Sequence, residues 1–171
     1  MTAWTIDRPL ETERLIIRAH TPDDLEDLLV FHSDAEVTRY IPWPVRTRAQ
    51  TIEALDKKLV AASAPAPGAW LDLAVEERAS GIVIGGVVLK REEGTDAEIG
   101  YVLRRDRWGQ GLATEAVVAL IEEARARFGV TRFTAIVEAP NAASIRLLER
   151  LGFTPDGELK PGVPRFALTP A

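Results

Sequence analysis

The stretch RDRWGQGLATEA, residues 105–116, sets Gly109 and Gly111 two apart immediately before a run with helical apolar spacing. Glycine there costs backbone stability, a cost that makes sense where something must approach the main chain closely. Consecutive amides of Gly109, Gln110, Gly111, Leu112 and Ala113 at a helix start would form an anion cradle suited to a pyrophosphate. Unpaired N–H groups and the helix dipole both favour negative charge there. Two other readings compete. The glycines allow a tight strand-to-helix turn and nothing more, or their GxGxxG-like spacing marks a dinucleotide site with Glu138 on a ribose. Against the dinucleotide reading, Thr114 stands where the third glycine belongs, and Arg104 to Trp108 separate the strand from the first glycine.

Composition closes other chemistries. The chain has no cysteine, hence no disulfide, no thiolate nucleophile and no cysteine-bound metal. Its two histidines, His20 and His32, are not joined by a ligand spacing, so no metal is expected. A net charge of −5 argues against nucleic acid as the partner, because phosphate-backbone binding relies on clustered Lys and Arg. With 46% hydrophobic and 27% charged residues and no long apolar run, the sequence reads as a soluble globular protein with no membrane partner. The first fifteen residues lack a basic region followed by an apolar segment, so a cytoplasmic location is expected. A length of 171 residues suits one domain, 1–171, with no repeat or linker dividing it.

The elements that would position the cradle follow from the patterning. Residues 13–20, ERLIIRAH, read as a first strand. Thr21-Pro22-Asp23-Asp24 cap a helix on which Leu25, Leu28, Leu29 and His32 share a stripe, making His32 structural. A short helical turn over 34–39 leads into a proline-broken aromatic loop, 40–44, and Thr47 caps a helix with Ile52, Leu55 and Leu59 on one face. Residues 70–76, 82–89 and 97–104 form an antiparallel meander. Helical spacing returns over 112–128, with Gly129 as its left-handed end. A strand over 131–137, a helix over 142–151 stopped by Gly152, and two strands turning at 160–162 complete a mixed α and β order.

Tyr101-Val102-Leu103 with Trp108-Gly109-Gln110-Gly111-Leu112-Ala113-Thr114-Glu115-Ala116, then Asn141-Ala142-Ala143-Ser144 and Leu151-Gly152-Phe153, resembles the GCN5-related N-acetyltransferases. The nearer likeness is to the RimJ/RimL-type, ribosomal-protein-alanine acetyltransferase-like branch, whose pattern also resembles Glu13 to Arg18 and the loop Arg39 to Pro44. The resemblance runs from about Leu10 to Phe153. It implies the GNAT fold, an α+β (mixed α/β) architecture. A mostly antiparallel central sheet of about seven strands would splay between the fourth and fifth, with about four helices around it. It implies acetyl-CoA as co-substrate, with its pantetheine arm against the backbone of Tyr101, Val102, Leu103 and Arg104. The family's phosphate loop maps to Trp108, Gly111 and Ala113; Trp108 departs from the usual first residue, which leaves the main-chain cradle of 109–114 intact.

Acetyl transfer to an amine needs a neutral amine, a polarised carbonyl and a proton for the leaving thiolate. Glu98, with Gly100 and Val102 on its strand face, is the candidate base; the competing reading is a solvated or ion-paired carboxylate. The N–H near Val102 or Leu103 is the oxyanion candidate. Many relatives place a tyrosine where this chain has Leu148, so the resemblance shifts the acid role to Ser144, which otherwise reads as a local cap. Asn141 both caps that helix and contacts the cofactor. Tyr101 is a reserve hydroxyl, with core packing as its other reading. Tyr40, Trp43 and Trp70 are assigned to the acceptor pocket, or else to the core. Arg104, Arg105 and Arg107 meet CoA phosphates, or are an exposed basic loop. The tail after Phe153 is short, which leaves small amines, amino-acid derivatives and protein N-termini as acceptors. Without a cysteine, transfer is direct. The other functions considered are a non-catalytic acyl-CoA sensor and, further off, a nicotinamide-dependent oxidoreductase. A monomer or homodimer is expected.

Overall fold

The computed structural model describes residues 2–170. Its centre is the expected meander: β5 (Trp70–Glu77), β6 (Val83–Arg91) and β7 (Asp96–Leu103), rich in branched residues that fit a pleated, half-buried surface. On one side β3 (Leu15–Ala19) pairs antiparallel with β5, and the two-residue β2 (Leu10–Glu11) lines its outer edge. On the other side β8 (Arg132–Ile136) runs parallel to β7, followed by β10 (Val163–Leu168) and β9 (Thr154–Lys160). The order β2-β3-β5-β6-β7-β8-β10-β9 makes an eight-stranded sheet whose one parallel pair is β7 with β8. A parallel dinucleotide-binding sheet is therefore not what carries the glycines.

Direct cross-strand opposition sorts the side chains. Leu71, Leu73, Val87, Leu89, Ala97, Ile99 and Leu103 share one core with α4 (Leu112–Phe128) and α5 (Ala142–Arg150). Ala74 and Val83 join the smaller core built on α1 (Leu25–His32), α2 (Ala35–Thr38) and α3 (Arg48–Val60), with Val102 packed against it. Each helix is fixed by its own chemistry. Thr47 and Gln50 cap α3 reciprocally, each side chain on the other's amide at 3.2 and 2.9 Å. On α4, Leu112, Ala116, Val117, Leu120, Ile121 and Ala124 are all buried at helical spacing, and Gly129 ends it at φ 68°.

The sheet matches the expected GNAT architecture, with differences at short elements. One added strand is β2; a separate two-stranded sheet pairs β1 (Trp4–Thr5) with β4 (Ser63–Ala64), neither of which the patterning predicts. Among the described residues five α-helices stand where about four were expected, α2 being a single turn. Among the described residues no helix is long and apolar enough to cross a membrane.

The feature that matters for function is where β7 and β8 part. They pair at Asp96–Arg132, Ala97–Phe133 and Glu98–Thr134, and then no further, although β7 continues to Leu103. Beyond Thr134, β8 stays with β10, and Val137 and Ala139 donate to Pro164 and Gly162. With the two-residue strands set aside, this is the gap between the fourth and fifth strands.

Candidate functional site

The cradle is built by two left-handed glycines. Gly109 has φ 73° and Gly111, the N-cap of α4, φ 77°. A side chain would find room at both, so it is the backbone conformation that selects glycine. Because the N-cap has no side chain, nothing local satisfies the first amides of α4. Among the described residues no protein acceptor takes the N–H of Gly109, Gln110, Gly111, Leu112 or Ala113. Five donors at the positive end of a 17-residue helix are thus free for an anion, which is the fit a diphosphate requires.

The loop is held from beneath by residues sequence reasoning did not single out. Arg14 donates to the Gln110 carbonyl at 2.8 Å and to Glu115 at 2.7 Å, while Thr12 and the Arg14 amide donate to Glu115 at 2.5 and 2.8 Å. Burial pushes the Glu115 carboxyl up, but these donors outweigh it and hold it below its usual range. The available signal was an acidic residue in the first turn of α4; its partners lie about a hundred residues away. A shallow cleft of about 370 Å³ adjoins the cradle, with Arg14, Arg78, Gln110 and Leu112 in its wall. Trp108 turns its indole N–H back onto the Leu103 carbonyl at 2.8 Å, closing the end of β7.

Hydrogen-bond alternation decides which groups of β7 face the gap. Arg104 donates to Ile84, so Arg104, Val102, Gly100 and Glu98 direct their main-chain groups at β6. Ile99, Tyr101 and Leu103 direct theirs at the gap. Between the last β7–β8 pair and the Trp108 contact on the Leu103 carbonyl, the strand is therefore an open edge, able to accept an extended chain as an added strand. Of the two oxyanion candidates, the Leu103 N–H faces the gap and the Val102 N–H faces Gly86.

Glu98 stands on the opposite sheet face from α4, in one cross-strand row with Lys90 and Trp70. It is half-buried, and its side chain makes no hydrogen bond among the described residues. Burial pushes its carboxyl above the ordinary value, opposed by Lys90 and reinforced by Glu92. Lys90 is tied to Glu92 at 2.7 Å and lies 5.8 Å from the centre of the Trp70 ring. Beside Glu98 the sheet face is low, because Gly100 and Gly86 carry no side chain. Of the other aromatic residues, Trp43 is pinned on His32 at 4.8 Å and under Arg46 at 4.1 Å, and Tyr40 lies under Arg39 at 5.3 Å. Both belong to the loop after α2; neither shares the Glu98 row as Trp70 does.

On the α4 face, Ser144 sits in the first turn of α5. The cap of that helix is Asn141, whose side chain accepts from the Ser144 amide at 3.3 Å. The Ser144 hydroxyl instead accepts from the Tyr101 hydroxyl at 2.7 Å. Leu148 is buried in the core, 1% exposed. The three arginines read as phosphate ligands or as an exposed basic loop each hold an ion pair at the surface: Arg104 with Asp106 at 2.6 Å, Arg105 with Asp34 at 3.1 Å, and Arg107 with Glu77 at 3.0 Å. Arg14, itself tied to Glu115 and the Gln110 carbonyl, is the cation beside the cradle's own backbone.

Residues 14–154 match the family model described as an acetyltransferase (GNAT) domain. An uncharacterized N-acetyltransferase, p20, of Bacillus licheniformis is 33% identical over 151 residues, covering 88% of this chain and 85% of the relative. Among solved structures, a GNAT-family acetyltransferase from Bacillus anthracis superposes with TM-score 0.82 at 25% identity, over 94% of this chain and 98% of that one. RimL, a ribosomal L7/L12 alpha-N-protein acetyltransferase in complex with coenzyme A, superposes with TM-score 0.79 at 20% identity, over 95% and 98% of the two chains.

Proposed function

Since the chain belongs to the GNAT acetyltransferase family and is an acetyl-CoA-dependent acetyltransferase, we propose that it transfers the acetyl group directly to a primary amine. The acceptor is a small molecule or a protein or peptide N-terminus, and residues 1–171 act as one domain. The observation that carries this reading is the pairing of a free amide cradle with an open strand edge beside it. Acetyl-CoA supplies the activated acyl group as a thioester. The amides of Gly109 to Ala113 hold the diphosphate, with Arg14 as the adjacent cation. The gap-facing groups of Tyr101 hold the pantetheine arm, and the Leu103 N–H stabilises charge developing on the thioester oxygen. Glu98 takes the proton of the amine, a task its burial suits by raising its basicity. Ser144 donates to the leaving sulfur. Gly86, Gly100 and Trp70 shape the acceptor side, with Tyr40 and Trp43 in its loop. We assign the chain to the RimJ/RimL-type branch because Trp108 and Ser144 occupy the positions where that branch departs from its relatives.

Two measurements test the reading. Acetyl-CoA should raise the unfolding midpoint, because it binds only the folded state. Thiol release over a panel of amines should then be slowed by Glu98→Gln and Ser144→Ala with acetyl-CoA affinity preserved. No thermal shift, or two variants with full turnover, would overturn it.

A further inference from the structure

The Tyr101–Ser144 contact joins the centre of β7 to the first turn of α5 across 43 positions of sequence. A serine hydroxyl has one hydrogen and two lone pairs. Here one lone pair is taken by Tyr101, and the serine hydroxyl donates no hydrogen bond among the described residues. The usual local uses are filled otherwise: Asn141 caps the helix, and the Ser144 side chain does not bond back to its own helix. The same Tyr101 turns its main-chain groups into the gap between β7 and β8. Ser144 is therefore held from one side, with its hydrogen directed elsewhere.

We propose that Tyr101 is a positioning residue: its hydroxyl, by donating to Ser144 Oγ, orients the serine hydrogen toward the sulfur of a CoA thioester lying along β7. The inference rests on the acetyltransferase reading above. The amine nitrogen's lone pair forms a bond to the acetyl carbon, the carbon–sulfur bond breaks with its electron pair going to sulfur, Ser144 donates a hydrogen bond to that sulfur, and the amine proton goes to Glu98. Tyr101 gives up no proton. Burial raises its phenol above the usual value, so it remains a donor throughout the working range. A free serine rotor would otherwise spread its hydrogen over three staggered directions.

The test uses free CoA as the probe and reads its thiol rather than turnover. CoA affinity is measured first, and the thiolate absorbance of bound CoA is then followed against pH. The unchanged protein should lower the thiol pKa. In Tyr101→Phe it should return upward by about one unit, a tenfold loss of preference for the thiolate. Ser144→Ala should give the same shift, and the double variant no more. Turnover of Tyr101→Phe should fall about tenfold in kcat with the KM for acetyl-CoA unchanged. Equal thiol titrations in protein and variant, with CoA bound in both, overturn this inference alone. Absence of CoA binding in the unchanged protein overturns it together with the acetyltransferase reading.

Discussion

Gly85→Ala is expected to destabilise the fold sharply and weaken the site with it. A methyl group at Gly85 would stand 2.1 Å from the Val102 carbonyl oxygen and 3.1 Å from Leu103 Cα, where real contacts stop near 3.0 Å. Both atoms are backbone, so no rotamer change relieves the overlap; β6 and β7 must separate by about 1 Å. Overpacking that side chains can absorb costs about 1–3 kcal/mol. Here the hydrogen-bonded pairs on either side, Ile84 with Arg104 and Gly86 with Val102, are strained too, at about 1 kcal/mol each. The expected loss is about 3 kcal/mol, a large share of an ordinary domain's margin. Gly86→Ala is the control: its methyl would lie 3.2 Å from the Leu73 oxygen, and about 1 kcal/mol is expected. Urea unfolding of both variants measures the difference. Since the shifted segment carries the Leu103 amide, the folded fraction of Gly85→Ala should also bind acetyl-CoA about tenfold more weakly. A Gly85→Ala protein within about 0.5 kcal/mol of the parent would refute the reasoning.

As a base, Glu98 must be deprotonated, so kcat/KM should fall as pH drops through a carboxyl pKa above the ordinary 4.5. Glu98→Gln should remove that limb and cut kcat about a hundredfold, and Lys90→Met should move it higher, because the cation opposes burial. Gly111→Ala forces a side chain into φ 77°. A stability loss of about 1–2 kcal/mol is expected, with Kd for acetyl-CoA rising and kcat largely retained, checked by calorimetry and steady-state rates. Burial, aided by Lys58 and Arg46, holds His32 down to about 3. The unfolded chain therefore binds its proton first, and stability present above about pH 6.5 is lost as pH falls. The loss is on the order of a few kcal/mol, and His32→Gln should flatten the fall between about pH 6.5 and 4.5, before most carboxylates titrate.

What the sequence made legible were features written in local periodicity. The stripe of α4, the box of Thr47 and Gln50, the meander and the two-residue turn at Pro161-Gly162 all depend on neighbours within a few positions. Two-residue strands have no period to read, which is why the patterning did not predict β1 and β4. The partners of charged groups were hidden for another reason: Arg105 meets Asp34, and Arg14 meets Glu115, only once the sheet brings distant turns together. The ion pairs of the basic run before the cradle, read either as phosphate ligands or as an exposed loop, were therefore not legible. Tyr101 shows the same limit. Strand alternation placed it on the face opposite Glu98, and only the docking of α5 puts Ser144 against its hydroxyl.

The most direct test of the account is a titration of ¹⁵N-labelled protein with CoA, following backbone amides. The account predicts that Gly109, Gln110, Gly111, Leu112 and Ala113 shift on saturation, joined by Tyr101 and Leu103, while Val102 and Arg104, bonded to β6, move least. Saturating shifts that leave 109–113 unmoved, or that fall equally on alternate residues of β7, would contradict it.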